Sequence, residues 1–285
     1  MADLSPPLTR GVLPDSARRP GVHVTRYAAA DDVTDLVRHV WVPRWALPPG
    51  ERVRQEILQY PGGNVAVLAD EAAFYGVDAG LGTRELTGTG WAVGVLLRPA
   101  AAFLILRRPL NEIADATVTD LPGEFATLCA RVRAHMSRPT PEETSAARHL
   151  QEWVRQVCGP VDDEGILANA IVDTVDPPDD PVPGGHRFEV HTVRELADAV
   201  GISERHLQRV CRIRIGLTPK WLLQRRRLQE AADQLSGGQE EHVELAALAI
   251  ELGYGDQAHF TRDFTRVVGR PPGRFRADVA DSDKT

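Results

Sequence analysis

The sequence predicts an α+β protein. A strand-rich N-terminal domain, a small barrel or sandwich with trailing helices, precedes an all-α C-terminal domain. Between Val22 and Arg98, short apolar segments such as VHVTRY and WAVGVLL are separated by turns containing Pro or Gly, which is typical of β-strands. From Pro99 to Val175, apolar residues recur at helical spacing. Residues 173–186 contain four prolines, two glycines and four aspartates, which predicts a domain boundary.

Composition narrows the class of protein further. The 285 residues are 42% hydrophobic and 26% charged, as in ordinary globular proteins. Cys129, Cys158 and Cys211 are widely spaced and form no CxxC pair, which predicts a reduced, cytoplasmic protein. The longest apolar run, WAVGVLLRPAAAFLIL, is interrupted by Arg98 and Pro99, and the N-terminus lacks a signal-peptide pattern. We therefore expect no membrane partner.

The last hundred residues contain a weak internal repeat. The segment LADAVGISERHLQRVC…GLTP, from Leu196 to Pro219, aligns with LAIELGYGDQAHFTRDF…GRPP, from Leu248 to Pro272. The offset is 52 residues before the glycine turn and 53 after it, because the second copy has one additional residue, Gly255. A unit repeated at a fixed offset indicates one supersecondary element used twice.

Each copy predicts a helix, a tight turn and a second helix, which is the helix-turn-helix arrangement. The residues that predict these starts and turns are the capping box Thr192–Glu195, the turn glycines Gly201 and Gly253, and the caps Ser203 and Asp256. Between the copies, residues 218–235 predict a linker helix of about 27 Å at ~1.5 Å per residue. That length would hold two recognition helices near the ~34 Å repeat of DNA.

Charge is segregated along the chain. The formal net charge of −7 argues against nucleic acid when it is taken as an average. However, residues 186–276 carry 15 basic and 12 acidic residues, whereas the remainder carries 18 basic and 28 acidic residues. Residues 203–227 alone contain eight basic residues and one acidic residue. The positive charge therefore lies where phosphates would be contacted.

The final third of the chain resembles the C-terminal DNA-binding domain of the AraC/XylS family of transcriptional regulators. The similarity covers Val190–Arg276, in the segments LADAVGISERHLQRVC, GLTPKWLLQRRRLQEAADQL, LAALAIELGYGDQAHFTRDF and GRPPGRFR. Cys211 stands where the family often has an aromatic residue, and Tyr254 where phenylalanine is usual. The run VRHVWVPRWALPPG…YPGGNVAVL is similar to an N-terminal domain that occurs on some family members without a defined ligand.

The resemblance implies a transcription factor whose N-terminal domain senses an effector, dimerises, or both. We expect an N-terminal regulatory domain over residues 1–175, strand-rich at 22–98 and helical at 99–175, a linker over 176–186, an AraC-type DNA-binding domain over 187–277 and a disordered tail over 278–285. Double-stranded DNA is the expected partner. RNA polymerase, a small-molecule effector and a second copy of the chain are further candidates. No cofactor or catalytic residue is expected.

Arg205, Gln208 and Arg209 are predicted to share one outward face of the first recognition helix, because spacings of three and four residues coincide on a helix. Arginine pairs with guanine and glutamine with adenine, so base reading is predicted here, with a merely solvated face as the alternative. The corresponding base-reading candidates in the second motif are Gln257, Ala258, His259, Thr261 and Arg262. The candidate phosphate contacts are Ser203, Arg212, Lys220, Arg266 and Arg270.

Three further arginines, Arg225–Arg227, are candidates either for DNA contact or for structural ion pairs. Arg227 resembles a family position that packs between the two motifs. Both roles stay open at this point.

The N-terminal region offers weaker candidates. The aromatic residues Trp41, Trp45, Tyr60 and Trp91 are candidates for an effector pocket, although aromatic residues in a small sheet domain more often form the core. No metal site is expected, because His23 and His39 have no further ligands at a suitable spacing.

Two other functions remain open. The DNA-binding domain could be fused to an enzyme such as an alkyl-transfer repair domain, although Cys129 and Cys158 lack a recognisable reactive setting. Alternatively, the chain could be a regulator without an effector that works through protein contacts.

Overall fold

The structure is a computed structural model that describes residues 21–58, 60–77, 80–177, 190–236 and 244–282. Most of the expected linker, at 178–186, and the end of the expected tail, at 283–285, lie outside the described residues. Within the described ranges the strands precede a helical C-terminal region, which confirms the predicted α+β class. No helix in these ranges is long and apolar enough to cross a membrane.

The described residues form eight strands that pair antiparallel. They are β1 Val22–Ala28, β2 Val37–Ala46, β3 Arg52–Leu58, β4 Asn64–Leu68, β5 Ala72–Tyr75, β6 Leu81–Thr87, β7 Thr89–Leu97 and β8 Thr117–Val118. Six of them form one sheet in the order β1-β2-β7-β4-β5-β8, and β3 pairs with β6 as a separate ribbon. Val95 of β7 lies opposite Val40 of β2 and Val65 of β4, and all three are buried.

The short strand β8 lies in the region that was predicted to be helical. Two residues are too short to show an alternating pattern, so the sequence gives no signal for this strand. It pairs with β5, where Val118 lies opposite Phe74.

Four helices follow β7; three of them pack against the sheet, and the last packs against the first. They are α1 Pro99–Leu106, α2 Phe125–Met136, α3 Glu143–Cys158 and α4 Asp163–Val175. Helical spacing predicts an apolar stripe on α3, and of its members Ala146, Leu150, Trp153 and Val154 are buried and Val157 is half-buried. These side chains join the sheet residues in one hydrophobic core.

The C-terminal region contains two helix-turn-helix motifs. Its helices are α5 Val193–Ala199, α6 Glu204–Val210, α7 Pro219–Ser236, α8 Leu245–Glu251, α9 Gln257–Val268 and α10 Pro272–Ser282. A π-helical turn, Cys211–Ile215, continues α6. The last helix extends to Ser282, into the segment expected to be a disordered tail.

The predicted caps and turns are present in both motifs. The Thr192 hydroxyl accepts a hydrogen bond from the Glu195 amide at 3.1 Å, and the Glu195 carboxylate accepts one from the Thr192 amide at 3.0 Å. This is the predicted capping box. Gly201 and Gly253 adopt φ of +70° and +76°, the left-handed conformation that favours glycine at a helix end.

The two motifs have different hydrophobic cores. The second motif packs Phe260 and Phe264 against Leu228 of α7. The first motif instead shares a core with the expected N-terminal domain, because Leu207 of α6 belongs to the same cluster as Ile171 of α4. Tyr60, Val77 and Leu96 from the sheet region complete this cluster. The hydrophobic packing therefore crosses the expected boundary between the domains.

Candidate DNA-binding surface

The first recognition helix, α6, has one buried and one exposed face. Leu207 and Val210 are fully buried, so the opposite face points to solvent. The Ser203 hydroxyl begins the helix by accepting a hydrogen bond from the His206 amide at 3.3 Å. The exposed side chains on this helix include those of the predicted base-reading residues Arg205, Gln208 and Arg209.

One of these side chains is bound to α4, in the expected N-terminal domain. The Arg209 guanidinium donates to the carboxylate of Glu164, in the first turn of α4. Arg214, in the π-helical turn, donates to the other Glu164 oxygen at 3.0 Å and to both oxygens of Asp162 at 3.0 and 2.6 Å. These arginines lower the pKa of both carboxyl groups, chiefly through Arg209 at Glu164 and through Arg214 at Asp162. Two carboxylates thus hold arginine N–H groups that could otherwise bind phosphate oxygens.

The second recognition helix, α9, begins at Asp256, whose carboxylate accepts a hydrogen bond from the His259 amide at 2.7 Å. Phe260 and Phe264 are buried on its inner face. His259 lies 3.7 Å from the carboxylate of Asp263 and contacts the Tyr254 ring edge-on. Among the predicted base-reading residues, Thr261 is half-buried and the exposed ones are Gln257, Ala258, His259 and Arg262.

The candidate phosphate contacts differ in how far they are already engaged. Arg212 and Lys220 are exposed. Arg266 is also exposed, and it donates to Asp263 at 2.9 Å. Arg270 is half-buried and donates to Asp278 at 3.0 Å, so it is the least available of the four.

The three consecutive arginines of α7 have structural contacts. Arg225 is buried and donates to Asp176 at 3.1 Å. Arg226 is buried between Asp176 and Glu230, at 3.7 and 3.2 Å. Their guanidinium groups are therefore used in ion pairs inside the protein.

Arg227 connects the two motifs. Its guanidinium donates to the backbone carbonyl of His191, just before α5, and lies 5.6 Å from the ring centroid of Tyr254, in the turn before α9. Arg227, like its two neighbours, is therefore held by contacts inside the protein.

The tryptophans predicted to face an effector make structural contacts. The Trp41 indole donates to the Asn64 side chain at 3.0 Å and packs over Gly94, where a Cβ atom would come within 2.1 Å of the ring. Trp45 packs in the same way over Gly90, at 2.3 Å. Glycine in β7 thus provides the space that each indole fills.

The other two aromatic candidates are also packed. The guanidinium groups of Arg38 and Arg225 lie over the Tyr60 ring, at 5.4 and 5.2 Å from its centroid. Burial raises the pKa of Tyr60 to about 12. Trp91 packs against the main core. Their role as effector contacts stays a prediction.

A cavity of about 330 Å³ opens between the turn Asp31–Val33 and α3. Its lining includes Arg148, Gln151 and Arg155, and none of the four aromatic candidates belongs to it. The buried Gln151 amide oxygen accepts a hydrogen bond from the Ala30 amide at 2.7 Å, and Arg155 pairs with Asp32. Sequence reasoning misses this cavity because its two walls are more than a hundred residues apart along the chain.

Comparison with known proteins agrees with this architecture. Residues 196–278 match a family described as a helix-turn-helix domain, and residues 25–119 match a domain of unknown function, DUF6597. The second match spans the strands from within β1 to β8 and names no ligand.

Several curated proteins are similar to this chain. The HTH-type transcriptional regulator Rv1931c of Mycobacterium tuberculosis is 34% identical over 146 residues, which is 50% of this chain and 53% of that protein. An AraC-like transcription regulator of Streptomyces lividans is 36% identical over 30% of this chain and 27% of that protein. Probable transcription factor PqrA of Proteus vulgaris is 36% identical over 32% of this chain and 71% of that protein.

This chain therefore spans about half of the Mycobacterium relative and less of the Streptomyces one. Among solved structures, ToxT from Vibrio cholerae O395 aligns over 90% of this chain and 97% of its own, at 9% identity and a TM-score of 0.38.

The match to PqrA covers more than two thirds of that protein, at 36% identity over 90 residues. The repeated motif, its caps and these relatives agree, and the chain belongs to the AraC/XylS family of transcriptional regulators, with a helix-turn-helix DNA-binding domain in its C-terminal third.

Proposed function

We propose that this regulator binds a specific DNA site by placing α6 and α9 in two successive major-groove segments. The observation that carries the proposal is the repeated unit, in which a glycine turn and a side-chain cap precede each helix with an exposed polar face. The linker helix α7 has 18 residues. It is therefore about 27 Å long at ~1.5 Å per residue, a length suited to the ~34 Å repeat of DNA.

Base reading is assigned mainly to the first motif. Arg205 and Arg209 are suited to guanine, and Gln208 to adenine, because each can form a bidentate pair with that base. In the second motif, Ala258 offers only an apolar contact, for example to a thymine methyl group. The remaining readers proposed there are Gln257, His259, Thr261 and Arg262.

Phosphate contacts are assigned to the flanks of the recognition helices. Exposed Arg212, Lys220 and Arg266 provide the positive charge, and the exposed Ser203 at the start of α6 provides a hydroxyl donor. Arg270 is the weakest of these candidates, because Asp278 already holds it. Neutralising phosphates releases counterions, so binding should weaken steeply with salt.

We infer that the N-terminal region regulates DNA binding through α4. Glu164 and the DNA compete for Arg209, so the contact between Glu164 and Arg209 must open when Arg209 binds a base. A ligand or partner that binds more tightly when the Glu164–Arg209 contact is closed would lower DNA affinity, and one that binds more tightly when it is open would raise DNA affinity.

The signal that moves α4 is proposed to be a small-molecule effector, dimerisation, or both. The cavity beside α3 is at the lower end of the range of ~300–1,000 Å³ seen for small-molecule sites. RNA polymerase remains a proposed partner, and the cytoplasm remains the proposed location.

A regulator without an effector is the second candidate. It is favoured by the structural packing of Trp41 and Trp45, whose ring faces are covered by β7. Thermal-shift screening of the full chain against small metabolites separates the two candidates, because only an effector would raise the unfolding temperature.

An attached alkyl-transfer enzyme has less support. Burial raises the pKa of the Cys158 and Cys211 thiols to about 12, and the pKa of Cys129 is raised as well. A thiol must ionise to act as a nucleophile, so these groups are poorly suited to that chemistry.

The experiment that tests the main proposal is selection of binding sites from a random DNA library with the full chain. We expect a site with two preferred segments about one helical turn apart. The double variant His259→Ala and Arg262→Ala should lose preference in one segment and keep it in the other. Enrichment of a single segment, or of no sequence, would contradict the two-motif assignment.

A further inference from the structure

Two histidines face each other between α2 and α3. The Nε2 atoms of His135 and His149 are 3.2 Å apart, and their ring centroids are 5.2 Å apart. The Nδ1 atom of each ring faces a carboxylate on its other side. His135 Nδ1 lies 2.8 Å from Glu142, and His149 Nδ1 lies 3.2 Å from Glu152.

The two carboxylates favour one tautomer of each ring. An ionised carboxylate only accepts hydrogen bonds, so each Nδ1 atom carries the hydrogen that it donates. A neutral imidazole protonated at Nδ1 has a lone pair at Nε2. Two lone pairs therefore point into the same gap of 3.2 Å, and they repel each other unless a cation lies between them.

We propose that His135 and His149 bind a divalent transition-metal ion through their Nε2 atoms. Two nitrogens at ~2.0–2.1 Å from a tetrahedral zinc ion are about 3.3–3.4 Å apart. The separation of 3.2 Å is close to that value. Imidazole suits zinc, copper, nickel and iron, whereas calcium and magnesium prefer oxygen ligands.

The carboxylates support this role. A metal-binding histidine almost always donates its other N–H to a carboxylate, a carbonyl or water, which fixes the tautomer and raises ligand basicity. Glu142 and Glu152 occupy these positions for the two rings. Arg138 pairs with the second oxygen of Glu142 and so helps to hold it in place.

The site is open to solution and has two protein ligands. The side chains of His135 and His149 are 20% and 22% exposed. Within the described residues, no group of three or more histidines, cysteines, aspartates or glutamates is placed to hold a metal ion. The remaining coordination positions would therefore be filled by water or by an external ligand. A bound ion would tie the end of α2 to α3, the helix that lines the cavity.

The test is zinc titration of the full chain, without a histidine tag, by isothermal titration calorimetry. We expect uptake of about one zinc ion per chain, and His135→Gln or His149→Gln should each weaken binding at least tenfold. The matched control His23→Gln, which removes an exposed histidine of β1, should leave the affinity unchanged. Glu152→Ala should weaken binding about tenfold and less than either histidine variant, because it removes the acceptor facing His149 Nδ1 and keeps both ligands.

A second measurement does not depend on the folding of the histidine variants. X-ray absorption at the zinc edge of the wild-type chain should show two imidazole ligands. The proposal is overturned if the wild-type chain takes up no zinc. A proton shared between the two Nε2 atoms would then explain their short separation. The proposal is also overturned if both histidine variants bind zinc as tightly as the wild type.

Discussion

Arg209, on the recognition helix of the first motif, is bound to Glu164, in the first turn of α4. The two residues are 45 positions apart in sequence and lie on opposite sides of the expected boundary between the domains. The same carboxylate also accepts a hydrogen bond from Arg214 at 3.0 Å. A proposed base-reading residue is therefore occupied before any DNA arrives.

Glu164→Gln should increase affinity for the specific DNA site. The side chains of this ion pair are partly exposed, so its loss is worth ~0–1 kcal/mol, or up to about fivefold in affinity. Fluorescence anisotropy with a labelled DNA duplex measures the change. Asp163→Asn is the matched control, because it removes the same charge from an exposed neighbouring position. Equal gains in the two variants would mean that general repulsion of DNA, and not the contact with Arg209, is responsible.

Arg209→Ala should have the opposite effect at the specific site. It also frees α6 from Glu164, but it removes a side chain suited to bidentate contact with guanine, which costs about 1–3 kcal/mol and relaxes the base preference. Binding to a panel of single-base operator variants reports both effects. Arg131→Ala, which removes an exposed arginine of α2, should change neither. An unaltered base preference in Arg209→Ala would rule out a reading role for this residue.

Asp176→Ala should strongly destabilise the fold. Asp176 accepts from Arg225 at 3.1 Å, and their side chains are only 7% and 3% exposed. Removing the carboxylate leaves two buried guanidinium groups, Arg225 and Arg226, without this partner, which costs about 3–5 kcal/mol. Urea denaturation measures the free energy of unfolding. Glu85→Ala, which breaks the exposed pair with Arg52, should cost less than ~1 kcal/mol.

Gly94→Ala should destabilise the sheet by about 1–3 kcal/mol, because the added methyl group overlaps the Trp41 ring. Gly255→Ala is the control, since the structure leaves open space around that position, and it should stay within ~0.5 kcal/mol. Thermal unfolding compares the two. A Gly94→Ala chain as stable as the wild type would contradict the close packing of Trp41 against β7.

The sequence predicts best where the signal is local. The capping box at Thr192 and the turn glycine Gly253 depend on residues within one or two helical turns, and both are confirmed. The repeat reinforces each assignment, because two copies must adopt the same conformation.

Features that join distant segments leave little trace in the sequence. The pair Arg209–Glu164 depends on how α4 packs against the first motif, and the cavity beside α3 depends on how that helix packs against the turn Asp31–Val33. His135 and His149 are 14 positions apart, on two different helices, so they match no short ligand spacing. The tryptophans illustrate a related difficulty: Trp41 gives no sign in sequence that a glycine on β7 lies beneath its ring.

The hydrophobic cluster shared by α4 and the first motif has a consequence for chimeric regulators. In a chimera whose junction lies in the proline-rich segment at 173–186, Ile171 and Val172 would face a foreign DNA-binding domain. Arg214 would also be separated from the carboxylates of Asp162 and Glu164. A junction placed before Asp162 would instead transfer α4 together with the first motif, against which it packs. The portable unit of this protein therefore starts one helix earlier than its composition suggests.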